Sequence, residues 1–320
     1  MSMHFREIAE QAMADGEITA EEILALRREG WADGRMSAEE AEALFVLNDH
    51  LKTRSSEWTD TFVEAVVEYL LAGGSPRGYL SASQADWLIT RIDHDGQLDS
   101  MAELEMLAKL FERAENVPDS LRDYAMRQIE QIVLTGTGPT RDSGRVDANC
   151  ITDAECRLLR RMIFARGGEG TAGVSRREAE MLFRIKDATL GAANSPEWKR
   201  LFVQGVGNYL CALNKFQPLS AERAAQLDAF MADTSSSVGG FFRRMAKADI
   251  GEETSRVLGF GRKGLSEPAH ADAVAKARAV TDDESAWLQA RMDANGVIDE
   301  LDQAVLDFLK EEEEYRSRQF

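Results

Sequence analysis

Apolar residues recur along this chain at the three- and four-residue spacing of amphipathic helices. In residues 38–50, for example, Ala41, Leu44, Phe45 and Leu47 fall on one helical face between charged neighbours. Helix-favouring Ala, Leu, Glu and Arg are abundant, whereas the 320 residues include only 6 prolines. The pattern therefore predicts an all-α protein.

The predicted helices begin at a recurring motif, in which Ser or Thr is followed three residues later by Glu or Gln. This spacing is typical of a capping box: the hydroxyl accepts a hydrogen bond from the amide three residues ahead, and the acidic or amide side chain accepts one from the cap amide. Glycine before a cap ends the preceding helix. The motifs predict helix-turn-helix pairs. The six boxes are Thr19/Glu22, Ser37/Glu40, Ser81/Gln84, Thr152/Glu155, Ser175/Glu178 and Thr281/Glu284.

The two halves of the chain resemble one another in sequence. Residues 16–71 match 149–211, and residues 81–100 match 281–300 with a constant offset of 200. Aromatic residues and arginines recur in order, which chance does not explain. The matched pairs are Trp58/Trp198, Phe62/Phe202, Tyr69/Tyr209, Trp87/Trp287 and Arg91/Arg291. We interpret the similarity as an internal duplication, and we expect its aromatic residues to pack in the core.

The duplication divides the chain into two tandem, related helical domains. We predict a first domain at 1–134, a linker at 135–145 and a second domain at 146–320. The second copy carries an insertion at about 215–278, and its Ser and Gly content predicts a flexible loop.

Charge and cysteine content narrow the class of protein. The 56 acidic and 38 basic side chains give a net charge of −18, which opposes binding to nucleic acid and to an anionic membrane surface. No run of 18 apolar residues occurs, so we expect no membrane span. The 3 cysteines form no CxxC pair, and the N-terminus lacks a signal-peptide core. These features predict a cytoplasmic protein.

Acidic residues surround a glycine in two loops, at 92–100 and 292–300. With Gly96 and Gly296 as the sixth position, the loops resemble the calcium loop of EF-hand proteins. The resemblance implies oxygen ligands for Ca²⁺ at the third, fifth, ninth and twelfth positions. In the first loop the last of these acids stands one residue after the twelfth position. The implied ligands are Asp93, Asp95, Asp99 and Glu103 in the first loop, and Asp293, Asn295, Asp299 and Asp302 in the second.

Both loops depart from the EF-hand pattern at their first position, where Arg91 and Arg291 replace the usual Asp. A guanidinium there would neutralise the carboxylates in place of calcium. The sequence leaves both alternatives open, a bound divalent cation or an internal arginine clamp. The same acidic spacing is similar to that of the TerB-like domains of tellurite-resistance proteins, and this resemblance implies an all-helical fold with links to metal binding and stress complexes.

One segment contrasts with the acidic background. Residues 239–247 combine glycine, apolar aromatic and basic residues, with Phe241, Phe242, Arg243 and Arg244 at their centre. We predict a partner-binding role for these four residues, with docking onto the chain's own acidic surface and peripheral membrane contact as the alternatives.

The histidines lack metal-site spacing, and no phosphate-binding glycine motif occurs, so we predict that the protein is not an enzyme. The predicted function is a non-catalytic, acidic cytoplasmic scaffold or adaptor that binds another protein through helical surfaces. A divalent-cation-binding or metal-stress protein of degenerate EF-hand or TerB-like type is the first alternative. An enzyme whose site assembles from scattered acids is the second.

Overall fold

A computed structural model describes residues 2–30, 35–93, 98, 100–141, 149–165, 173–211 and 282–319. Within these residues the protein forms twelve α-helices and no β-strand, which confirms the predicted all-α class. The helices are α1 (Met3–Asp15), α2 (Ala20–Gly30), α3 (Ala38–His50), α4 (Ser56–Ala72), α5 (Ala82–Ile92), α6 (Met101–Arg113), α7 (Asp119–Thr135), α8 (Asp153–Ile163), α9 (Arg176–Ala188), α10 (Pro196–Leu210), α11 (Asp282–Met292) and α12 (Glu300–Gln319).

The capping boxes that the sequence predicts start five of these helices. At α3, the Ser37 hydroxyl accepts from the Glu40 amide at 3.2 Å, and the Ser37 amide donates to the Glu40 carboxylate at 2.9 Å. The same reciprocal pair begins α2, α5, α8 and α9. Thr281, the cap predicted for α11, lies outside the described residues. Local sequence thus determines where these helices begin.

A continuous cluster of buried apolar side chains runs through both halves of the chain. Five of the matched aromatic residues lie in it, and Tyr69, Trp87 and Tyr209 pack against it. The Phe45 and Phe62 rings meet edge to face at 5.2 Å, and Phe183 and Phe202 repeat that contact at 5.2 Å. Burying these large rings is the main favourable contribution to folding.

The order of neighbouring helices is similar in the two halves. α1 packs on α2 and α3, and α4 packs on α2, α3 and α6. In the second half, α7 packs on α8 and α9, and α10 packs on α8, α9 and α12. The halves meet where α5 contacts α7 and α6 contacts α8.

Part of the predicted linker at 135–145 is packed into the fold. Pro139–Arg141 forms a 3₁₀ turn, and the buried Arg141 guanidinium donates to both carboxylate oxygens of Glu155, at 2.7 and 2.9 Å. Glu155 also completes the α8 capping box, so four hydrogen bonds, one of them from Thr140, satisfy its buried carboxylate. In the part of the chain that the structure describes, no helix has the length and apolar character needed to cross a membrane.

Candidate functional site

The second acidic loop is neutralised by a lysine from another helix. Lys186, near the end of α9, is fully buried, and its Nζ atom donates to Asp299 Oδ2 at 2.7 Å and to both carboxylate oxygens of Asp302 at 3.0 Å. Asp187 Oδ1 lies 3.1 Å from the same ammonium group. One lysine therefore faces three carboxylates, two at the start of α12 and one beside it on α9.

Burial and hydrogen bonding compete in this cluster. Burial opposes the charge on Lys186, but hydrogen bonds to Asp299, Asp302 and Asp187 outweigh it, and the pKa of Lys186 is raised. Burial likewise disfavours ionised Asp299, yet the hydrogen bond from Lys186 dominates and lowers its pKa. At the more deeply enclosed Asp302, burial prevails and the pKa is raised. Lys186 and Asp299 are thus held as an ion pair.

The two arginines proposed as internal clamps have other partners. Arg291 donates to Glu180 of α9 at 2.9 Å, and Arg91 donates to Glu42 of α3 and lies over the Trp87 ring at 5.9 Å. The clamp hypothesis was therefore wrong about the residue at the second loop, because Lys186 supplies the cation there.

Three of the predicted metal ligands start helices. Asp299 Oδ1 accepts from the amides of Leu301 and Asp302 at 2.8 and 3.0 Å, and the Asp299 amide donates to Asp302 Oδ2 at 3.1 Å. Glu103 forms a capping box with Ser100 at the start of α6. The Ser-x-x-Glu motif at Ser100 is present in the sequence, but the sequence-based prediction treats Glu103 only as a calcium ligand and not as part of a capping box.

The other predicted ligands divide into described and undescribed residues. Asn295 donates to Asp187 Oδ1 at 2.8 Å, while Asp293 is exposed at the 3₁₀ turn Asp293–Asn295. Asp93 follows α5 directly. Asp95, Asp99 and the segment with Phe241, Phe242, Arg243 and Arg244 lie outside the described residues.

These positions decide how well calcium fits each loop. Within the described ranges, no three His, Cys, Asp or Glu side chains converge to hold a metal ion. The donors of the second loop do not fit calcium while Lys186 holds them. Calcium binding at the first loop stays a prediction.

The corresponding place in the first half has an asparagine, Asn48, instead of a buried lysine, and Arg54 donates to its side-chain oxygen at 3.2 Å. Asn48 and Lys186 each lie eleven residues beyond the cap serine of their helix, Ser37 or Ser175. The Asn48 amide donates to Ser100 Oγ at 3.3 Å, and its oxygen accepts from Trp58 Nε1 at 3.2 Å. The first half thus fixes the start of α6 with an amide, and the second half fixes the start of α12 with a buried charge.

Each half also has a surface cluster of Glu, Arg, Trp and Tyr. In the second half, Glu180 accepts from Arg291, Arg176 and Trp287, and the Tyr209 ring lies 4.8 Å from the Trp287 ring. Burial opposes ionisation of Glu180, but these hydrogen bonds outweigh it and lower its pKa. The first half repeats the arrangement with Glu42, Arg91, Trp87 and Tyr69.

A cavity of about 490 Å³ opens where the end of α5 meets α7 and α9; we call it the α7–α9 cleft. Fifteen residues line it: Ile89, Asp93, Ser120, Arg122, Asp123, Tyr124, Met126, Arg127, Glu130, Ser175, Arg177, Glu178, Glu180, Met181 and Arg184. It lies at the joint between the two halves of the chain, and no local sequence pattern predicts it.

Ion pairs connect the two helical walls of the cleft. Arg177 donates to Asp123 at 3.1 Å, and Arg184 donates to both oxygens of Glu130 at 2.5 and 2.8 Å. These hydrogen bonds from Arg184 to Glu130 raise the pKa of Arg184 despite its partial burial. The two acids are seven residues apart on α7, and the two arginines are seven residues apart on α9. The sequence contains this spacing, but it predicts ion pairs only once α7 and α9 are known to be neighbours.

Arg127 differs from the other arginines of the cleft. It is exposed, and its Nε donates to the Asp123 carbonyl at 3.2 Å. Among the described residues, no group accepts from its two terminal nitrogens. The α7–α9 cleft therefore contains an uncommitted cation.

Comparison with known proteins gives no relative from which to transfer a function. No family model, no curated protein and no solved structure matches the chain.

Proposed function

We propose that this protein is a non-catalytic scaffold or adaptor that binds another protein through its helical surfaces, with the α7–α9 cleft as the receiving site. The observation that carries the proposal is the cleft itself, a cavity of about 490 Å³ at the joint of the two halves, with apolar and charged groups together in its walls. Binding sites in proteins are usually concave, partly apolar and of this size.

The walls of the cleft are fixed before any partner binds. The Arg177–Asp123 and Arg184–Glu130 pairs connect α9 to α7, and Glu180 is held by Arg291 and Arg176. A preorganised surface loses little conformational entropy on binding, which favours affinity.

A cation-dependent role is the second candidate, and it rests on the first acidic loop. There Asn48 stands where the second half has Lys186, so this half lacks the lysine that holds Asp299 and Asp302. Asp93, Asp95, Asp99 and Glu103 remain the proposed ligands, although Glu103 is already engaged as a helix cap.

The proposed place of action is the cytoplasm. Among the described residues, Cys150, Cys156 and Cys211 form no disulfide, which suits a reducing compartment. Burial raises the pKa of Cys156 to about 12, which keeps this thiol protonated and unreactive.

Site-specific photo-crosslinking tests the scaffold proposal. A photoreactive amino acid replaces Ser120, an exposed residue of the cleft, and a control variant carries it at Arg157, an exposed arginine of α8 outside the cleft. We expect the cleft position to label a partner in cell extract, the control position not to, and the purified partner to bind the unmodified chain. Equal labelling at both positions, or failure of the purified partner to bind, would contradict the proposal.

A further inference from the structure

We infer that the α7–α9 cleft binds the C-terminal carboxylate of a partner protein whose last side chain is apolar. The inference rests on the proposed scaffold function and adds the chemistry that the partner presents. Three features of the cleft carry it: an uncommitted arginine, the two ion pairs along its walls and an apolar surface between them.

The uncommitted arginine determines the charge of the ligand. Arg127 lines the cleft with only its Nε engaged, by a carbonyl of its own helix. A planar guanidinium with free terminal nitrogens binds a carboxylate through two parallel, charge-assisted hydrogen bonds. The neighbouring acids offer no comparable site for a basic ligand, because Asp123, Glu130 and Glu180 already have arginine partners.

The ion pairs determine how a chain can enter. Asp123 and Glu130 lie seven residues apart on α7, as Arg177 and Arg184 do on α9, so the pairs are separated by about 10 Å along the helices. Both members of each pair line the cleft. A peptide passing between the helices would have to break these pairs, whereas a chain end needs only the space between them.

The space between the pairs suits an apolar side chain. The half-buried Ile89 of α5 and the buried Met126 of α7 and Met181 of α9 line the cleft, and methionine adapts its shape to different apolar ligands. An apolar side chain beside a free carboxylate is the chemistry of a protein C-terminus, and capture of that carboxylate is an established mode of peptide recognition.

The charge of the whole chain limits what precedes that terminus. The net charge of −18 repels an acidic segment and attracts a basic one at long range. The expected ligand is therefore a neutral or basic tail that ends in an apolar residue.

Fluorescence anisotropy with a labelled synthetic peptide tests the inference. The probe contains lysines, ends in leucine and has a free C-terminal carboxylate. Two comparison peptides have an amidated C-terminus. One has otherwise the same sequence as the probe, and the other also contains an internal aspartate. We expect the free acid to bind the full chain, and both amidated peptides to bind at least about tenfold more weakly because the charge-assisted pair is lost.

Two protein variants assign the contact. Arg127→Gln should weaken binding of the free acid about tenfold or more, and Arg157→Gln, with the same change of charge outside the cleft, should leave it unchanged. Both side chains are exposed, and circular dichroism checks that both variants fold.

Several outcomes would overturn the inference. They are equal affinity for the acid and its amide, tight binding of the amidated aspartate peptide, loss of binding in Arg157→Gln, or no effect of Arg127→Gln. If the peptides fail while a photoreactive group at Ser120 still labels a partner that binds the chain, the inference fails and the proposed scaffold function stands.

Discussion

Lys186 carries a charge that the protein encloses fully. Its side chain is 0% exposed, and it meets Asp302, also 0% exposed, together with Asp299. Removing two opposite charges from water costs several kcal/mol for each, and attraction within the pair offsets that cost only while both partners stay in place. The cluster therefore fixes α12 to α9 with high specificity rather than with great net stability.

Loss of the lysine should be costly. We expect Lys186→Met to lower the free energy of unfolding by about 3–5 kcal/mol, because two buried carboxylates lose their cation. Urea denaturation near pH 7 measures the change. Lys199→Met is the matched control: Lys199 pairs with the exposed Glu300 across α10 and α12, so its loss should cost about 1 kcal/mol or less. Equal losses of unfolding free energy in the two variants would show that the buried cluster contributes no more to stability than the exposed pair.

Glu180 should make stability depend on pH. Its pKa lies below the ordinary 4.5, so its contribution is present above that pH and disappears as the pH falls through the folded-state value. We expect Glu180→Gln to destabilise the protein near pH 7, and we expect this difference from the wild type to shrink as the pH falls below 4.5. Urea denaturation over this pH range measures the difference. Glu10→Gln, an exposed site on α1, should show no such convergence. A constant difference between Glu180→Gln and the wild type would rule out the charged contacts as its cause.

At the scale of helices, the capping box is the device that this chain uses most often. The structure adds a sixth box, Ser100 with Glu103, to the five that it confirms. Each box satisfies two amides at a helix start that the helix itself cannot pair. At α12 two aspartates form the same reciprocal bonds, so the acidic loops begin helices whether or not they bind a cation.

Ser100→Ala tests this role at α6. We expect a loss of about 1 kcal/mol in the free energy of unfolding, since the Glu103 amide loses its acceptor and Asn48 loses its contact with the hydroxyl. Ser285→Ala, at an exposed position within α11, should be neutral or slightly stabilising. Thermal unfolding compares the two variants, and equal melting temperatures would argue against the cap.

Calcium should have little effect on the second loop. Because Lys186 already holds Asp299 and Asp302, we expect millimolar calcium to leave the melting temperature of the protein unchanged relative to chelator. A rise that Asp299→Ala abolishes would show that calcium displaces the lysine. A rise that Asp93→Ala abolishes would instead assign binding to the first loop.

What the sequence could predict depends on the distance along the chain. Capping boxes join residues three apart, so the box of Ser37 and Glu40 can be predicted from the local sequence alone. The Lys186–Asp302 bridge joins residues 116 apart, and the partners of Arg91 and Arg291 lie on other helices. The α7–α9 cleft depends on helix packing, which no local pattern encodes.

At the scale of the whole molecule, the first helix of each half, α1 or α7, differs in burial at corresponding positions. Counted back from the left-handed glycine that ends each helix, Tyr124 and Met126 of α7 correspond to His4 and Arg6 of α1. The α7 residues are buried in a helix that contacts α5, whereas those of α1 are exposed. Polar residues thus stand on α1 at positions where α7 carries buried apolar ones.

The shared core should make the two halves unfold together. The buried apolar cluster is continuous, α5 and α6 of the first half contact α7 and α8, and Arg161 of α8 donates to both Glu105 and Glu112 of α6. We therefore expect one cooperative transition in thermal and urea denaturation, with circular dichroism and tryptophan fluorescence coinciding. Two separated transitions would instead support independent domains divided between α6 and α7. Arg161→Ala extends the test, because loosening the joint should lower the midpoint of the single transition for both probes, whereas in independent domains the other transition would not move.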